Sequence, residues 1–223
     1  MAKKKNQETR TKLEDINESL SGIEQKFEQH KKVIYWIVIA ILIIALLVWG
    51  YFKFIYGPNY EKAKKDLSKA DTELLIKNDS TAALKSYEKI AKNYSNPAGN
   101  RAKLSAATIL YGQGDYKKAL NYLEDYSPKG EIAGPASQAL LGDCYVNNKN
   151  LDKAVSAYDK AIKLAGENKV LVASIMQKKA NVLHSQKKYK EELDLYEQLE
   201  TKYMGPGAMD AQIERAKTMM GGK

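Results

Sequence analysis

Cysteine occurs once in the 223 residues, at Cys144, and histidine twice, at His30 and His184. A lone thiol excludes an internal disulfide, and so few imidazole and thiol groups leave no zinc-ligand cluster. The flanking Leu140, Leu141 and Tyr145 mark Cys144 as a small buried hydrophobe rather than a nucleophile. Gly112-x-Gly114 lacks the third glycine and the preceding strand of a dinucleotide loop, so it reads as a turn. The acidic pairs Glu191-Glu192 and Glu124-Asp125 fall in lysine-laced helical stretches and read as solvated faces. Fifteen tyrosines could stack on bases, but those at recurrent positions are accounted for by helix packing. The expectation is a chain that is not an enzyme, holds no cofactor or metal, and binds no nucleic acid.

Charge is also missing, over one long stretch. From Val33 to Phe52, twenty consecutive residues carry no charged side chain. A helix of that length covers roughly the 30 Å hydrocarbon core of a bilayer, with its backbone polar groups satisfied internally. Tyr35, Trp36, Trp49 and Tyr51 stand near its ends, where amphipathic rings favour the interface. Thirty-two residues precede the run and no A-x-A-like site follows it, which argues against a cleaved signal peptide. Lysine and arginine are denser before Val33 than in the stretch just after Lys53, giving a cytoplasmic N-terminus and an exported C-terminal part. The net charge of +9 divides into +2 before Val33 and +7 after it. Residues 33–56 are therefore assigned as a single transmembrane anchor.

Residues 1–32 carry an amphipathic pattern. Leu13, Ile16, Leu20, Ile23 and Phe27 occupy a and d heptad positions, with His30 in one d slot. Such a stripe cannot bury itself in water; it packs on a partner helix, on its own copy or on the membrane surface. The five residues are the candidate cytosolic docking stripe.

Beyond the anchor, Gly57-Pro58 is expected to stop the helix. One pattern then recurs. Aligning Ala83, Ala119, Ala154 and Glu192 gives steps of 36, 35 and 38 residues. Leu141-Gly142, Tyr145, Ala154, Tyr158 and Ala161 resemble the tetratricopeptide pattern L-G-x-x-Y…A-x-x-x-F…A, with Gln138 where its leading tryptophan belongs. Asn78-Asp79, Gly112 to Asp115, Asn147-Asn148 and Gln186-Lys187 supply the turn inside each helix pair. Glu192 stands where a packing alanine belongs and is expected to be exposed near the end of the array. After the breaker Gly205-Pro206-Gly207, Met209, Ile213, Ala216 and Met220 share one face of an expected capping helix. The fold class is all-α: an amphipathic helix and one membrane helix, then an α-solenoid of about four helix pairs over residues 57–207 and a cap over 208–223.

The resemblance implies a concave partner-binding face lined by the first helix of each pair. It would comprise Leu104, Thr108 and Tyr111, then Asp143, Val146 and Asn147, then Gln177, Asn181 and His184. This set lacks the ordered Lys/Asn/Arg clamp for a C-terminal carboxylate, so a loose surface for extended chains is expected. The order of segments, with the juxtamembrane FEQHKKVIYW stretch and the repeat at 136–163, is similar to that of the YfgM-like tetratricopeptide proteins, ancillary subunits of the bacterial SecYEG translocon. That resemblance implies an inner-membrane scaffold with a periplasmic repeat domain. Its implied partners are the translocon, a membrane-anchored periplasmic prolyl isomerase and unfolded exported proteins. An assembly adaptor for another secretion or division complex is the alternative.

Overall fold

Without a charge to interrupt it, the apolar run forms the helix its composition demands. The computed structural model describes residues 30–221; the stripe Leu13, Ile16, Leu20, Ile23 and Phe27 lies outside them. Helix α1 (30–51) is bare on every side, with Trp36 68% and Leu47 69% exposed. It is long and apolar enough to cross a membrane. At its end Lys53 Nζ sits 4.8 Å from the centre of the Trp49 ring.

The expectation that Gly57-Pro58 stops the helix is corrected. Gly57 has right-handed helical angles (φ −58°, ψ −58°), and helix α2 (Gly57–Leu75) begins with it. The preceding turn, Phe52–Tyr56, is instead widened to π spacing, and the Gly57 N–H donates to the Phe52 carbonyl. Proline lacks an N–H and its ring would strike the carbonyl four residues back. Widening the ladder just before Pro58 accommodates that ring, and a proline in the first turn of α2 forfeits no hydrogen bond that α2 needs.

A second compact unit runs from Asn59 to the C-terminus. After α2 come α3 (Ser80–Asn93), α4 (Pro97–Gly112), α5 (Tyr116–Glu124), α6 (Ala133–Asn147), α7 (Leu151–Ala165), α8 (Lys169–Ser185), α9 (Tyr189–Leu199) and α10 (Asp210–Gly221). Asp79, Asn96, Asp115, Asn150 and Asn168 cap the N-termini of α3, α4, α5, α7 and α8 by accepting backbone N–H bonds. The turns inside the four pairs each place one residue in the left-handed region: Asn78, Gly114, Lys149 and Lys187, at φ 52°, 80°, 60° and 59°. In the last three the next residue donates to a carbonyl five positions back, which ties off the end of the first helix.

Small residues let paired helices approach. Ala70, Ala107 and Ala180 are fully buried on α2, α4 and α8, and Gly142 holds the same place on α6. A Cβ at Gly142 would lie 2.5 Å from the Tyr158 ring. Ala83, Ala119 and Ala154 face them from α3, α5 and α7, also fully buried. One cluster joins α2, α3 and the start of α4; a second extends from α4 to α10. The cap carries Met209, Ile213 and Ala216 inward, but Met220 is 41% exposed, so the expected face ends one turn early. Cys144 is fully buried in the second cluster.

Candidate partner-binding face

The nine residues expected to line a groove lie on the first helices of pairs two, three and four: α4, α6 and α8. Thr108, Asn147 and Asn181 are exposed, while Leu104, Tyr111, Asp143, Val146, Gln177 and His184 are half-buried. Tyr111 meets Asp143 and Asn147; its phenol is pushed up by burial first and then by the Asp143 charge. The Tyr111 ring also packs edge-on against Tyr116, 5.2 Å between centres. Among the described residues, no hydrogen bond or ion pair joins the α4 trio to the α8 trio. Thr108 turns its hydroxyl back to the Leu104 carbonyl, and Gln177 reaches only the Met204 sulfur, at 3.4 Å.

Asp143 is committed to the scaffold. Its carboxylate accepts the Tyr158 hydroxyl at 2.7 Å and the Lys178 ammonium at 2.5 Å, linking α6, α7 and α8. The first pair repeats this arrangement: Asp71 accepts Tyr87 Oη at 2.7 Å and Arg101 Nη2 at 2.8 Å. In the fourth pair Asn181 accepts from Tyr196 at 3.4 Å, and Arg215 reaches the same hydroxyl from α10. Each acidic or amide group follows the small residue of the first helix, and each tyrosine lies four residues after Ala83, Ala154 or Glu192. The second pair has Thr108 and Leu123 at these places and makes no such link. Burial, followed by the bond to the aspartate, pushes Tyr87 and Tyr158 well above the usual phenol range. These links were missed in the sequence, although the paired recurrence of aspartate and tyrosine was a usable signal.

Glu192 corrects the reading of an exposed, solvated pair. It is fully buried, and its two oxygens meet Arg215 Nη2 at 2.8 Å and His184 Nδ1 at 2.9 Å. A carboxylate at the packing position keeps its charge only where cations or donors surround it, and the capping helix brings one. The hydrogen bond to Glu192 in turn raises the Arg215 pKa. His184 is thus half-committed to Glu192 and stacks near Tyr189, 5.6 Å between ring centres. Glu124 is exposed, as expected of a solvated face, and also accepts the Tyr145 hydroxyl at 2.7 Å.

Residues 73–131 and 135–203 each match a tetratricopeptide repeat model. The array is a tetratricopeptide repeat solenoid. The matched segments begin at residue 73, so most of α2 lies before them, although α2 shares a core with α3. The solved structure of MamA superimposes with a TM-score of 0.58 at 19% identity, covering 72% of this chain and 84% of that one. Tetratricopeptide-like repeats of a Podosopora anserina putative kinesin light chain give 0.53 at 16% identity, covering 72% and 87%. Likeness at such identities concerns the fold alone. Among curated proteins none matches the sequence. Tetratricopeptide arrays are typically protein-interaction scaffolds.

Proposed function

We propose that the protein is a membrane-anchored tetratricopeptide scaffold of the bacterial envelope that serves the Sec translocon, with α1 in the inner membrane and the repeats in the periplasm. One observation carries the reading: the same chain holds an exposed apolar helix long enough to cross a bilayer and a repeat array of the kind used for protein contacts. At about 25 cal/mol per Å² of apolar area, such a surface is strongly unfavourable in water, and lipid is the cover its length fits. The basic flank before Val33 supports a cytoplasmic N-terminus. The face spanning α4, α6 and α8 then meets exported chains and partner subunits, the translocon and a membrane-anchored prolyl isomerase among them. Its mixture of exposed amides and half-buried apolar groups suits extended polypeptide better than one fixed side-chain code. Crosslinking and affinity isolation from gently solubilised membranes test this. Enrichment of the translocon channel is the expected result. Reproducible enrichment of a secretion or division complex without the channel would instead establish the adaptor role.

A further inference from the structure

The second helices of successive pairs leave an opening at one place. Helix α5 has 9 residues where α7 has 15, and residues 125–132 connect α5 to α6, against 94–96 and 166–168 at the neighbouring junctions. The short α5 and the connection after it border a recess over α6, whose residues Gln138, Leu141 and Tyr145 are themselves largely buried. The recess has a volume of about 570 Å³ and is floored by these three residues, and a smaller one of about 230 Å³ shares that floor. Gln138 stands where the repeat pattern has a tryptophan, so a shorter side chain contributes to the space.

The rim is mainly basic, although the exposed Glu124 also lines it. Lys160 and Lys163 border the cavity from α7, beside Leu164, which is 47% exposed. Among the described residues no ion pair joins either lysine to an acid, and the nearby carboxylates make other contacts. Glu124 accepts the Tyr145 hydroxyl, Asp159 pairs with Lys179 at 2.6 Å, and Asp125 pairs with Lys103 at 2.5 Å. Lys153, at the smaller cavity, lies 5.3 Å from the Tyr145 ring centre and extends the basic edge. An apolar floor under two unneutralised ammonium groups favours a ligand with the complementary division: a bulky apolar group flanked by carboxylates.

We propose that this groove between α5 and α7 is a docking site for an acidic peptide segment carrying one large apolar side chain, which enters the cavity while its carboxylates meet Lys160 and Lys163. The site is independent of the proposed partner-binding face and of the membrane reading. It is tested by fluorescence anisotropy on the full chain in detergent micelles, using a labelled decapeptide of aspartates and glutamates around a single phenylalanine. Saturable binding is expected. K160E with K163E should weaken it tenfold or more, and so should Gln138→Trp, which fills the cavity and leaves the lysines in place. Leu164→Asp, at a half-exposed position, repeats the apolar test should the tryptophan disturb the fold, as judged by circular dichroism. A peptide with serine for phenylalanine should bind at least tenfold more weakly. Absence of saturable binding would overturn the proposal, as would equal binding of the serine peptide or indifference to the variants. Occupation of the groove by a second copy, seen as self-association that these variants abolish, would overturn it too.

Discussion

Glu192 takes the place of a packing alanine and survives there because Arg215 arrives from the capping helix. Removing one member of a buried ion pair strands the other, at a cost of about 3 kcal/mol or more. Arg215→Ala is therefore expected to lower stability in urea titrations, by less than that amount because the Arg215 side chain is half-exposed and His184 still meets the carboxylate. Glu192→Ala combined with Arg215→Met should recover most of the loss, since an alanine matches the other three pairs. If the single change were silent, the carboxylate would have to be solvated. The left-handed turn residues offer the opposite sign. Lys149 sits at φ 60° with a Cβ that disfavours it, so Lys149→Gly should raise stability by about 1 kcal/mol in the same titration. A decrease would show that the lysine side chain contributes more than its backbone strain costs. Neither feature was legible beforehand. The partner of Glu192 lies 23 residues away on another element, where no local period points to it.

At the scale of elements, the helix pairs were readable because Ala83, Ala119 and Ala154 recur with the turn residues between them. The π turn before Pro58 was not, since proline signals both a stop and a first turn, and only the backbone decides which. Close approach of α6 to α7 rests on Gly142. Gly142→Ala would press a methyl against the Tyr158 ring and should cost about 1–3 kcal/mol, read from the midpoint of thermal or urea unfolding. An unchanged midpoint would mean that Tyr158 can retreat, although its hydroxyl is tied to Asp143.

The same interfaces govern alkaline behaviour. Burial, aided by the Asp143 charge, raises the Cys144 thiol from 9.0 to about 12; burial and the bond to Glu124 raise the Tyr145 phenol from 10.0 to about 12. Below about pH 8 these groups are protonated in both folded and unfolded chains and add no pH dependence. Between about 8 and 12 the unfolded chain releases these protons first, so stability should fall as pH rises. Cys144→Ala should remove the earliest part of that decline, measured by urea midpoints at stepped pH. A flat profile to pH 12 would contradict the tight burial of α6. The proposed partner-binding face was only partly legible from the repeat pattern. It marked Asp143 as a contact residue, whereas Tyr158 and Lys178 occupy its carboxylate through contacts formed only when three helices stack.

At the scale of the whole molecule, the proposed topology places the apolar helix within a membrane and the repeat array on its exported side. The heptad stripe, Leu13, Ile16, Leu20, Ile23 and Phe27, adds a proposed cytosolic contact, and two linked contacts raise avidity through effective concentration. Changing Leu20 and Phe27 to serine is expected to reduce recovery of the membrane partner without altering the repeats' helical circular dichroism. The orientation underlies every part of this reading. Fusion of a compartment-dependent reporter after Lys223 in a bacterial host measures it directly. The account predicts reporter activity in the periplasm, with the repeats cleaved by protease added outside the inner membrane. Activity confined to the cytoplasm, with the repeats protected, would contradict it.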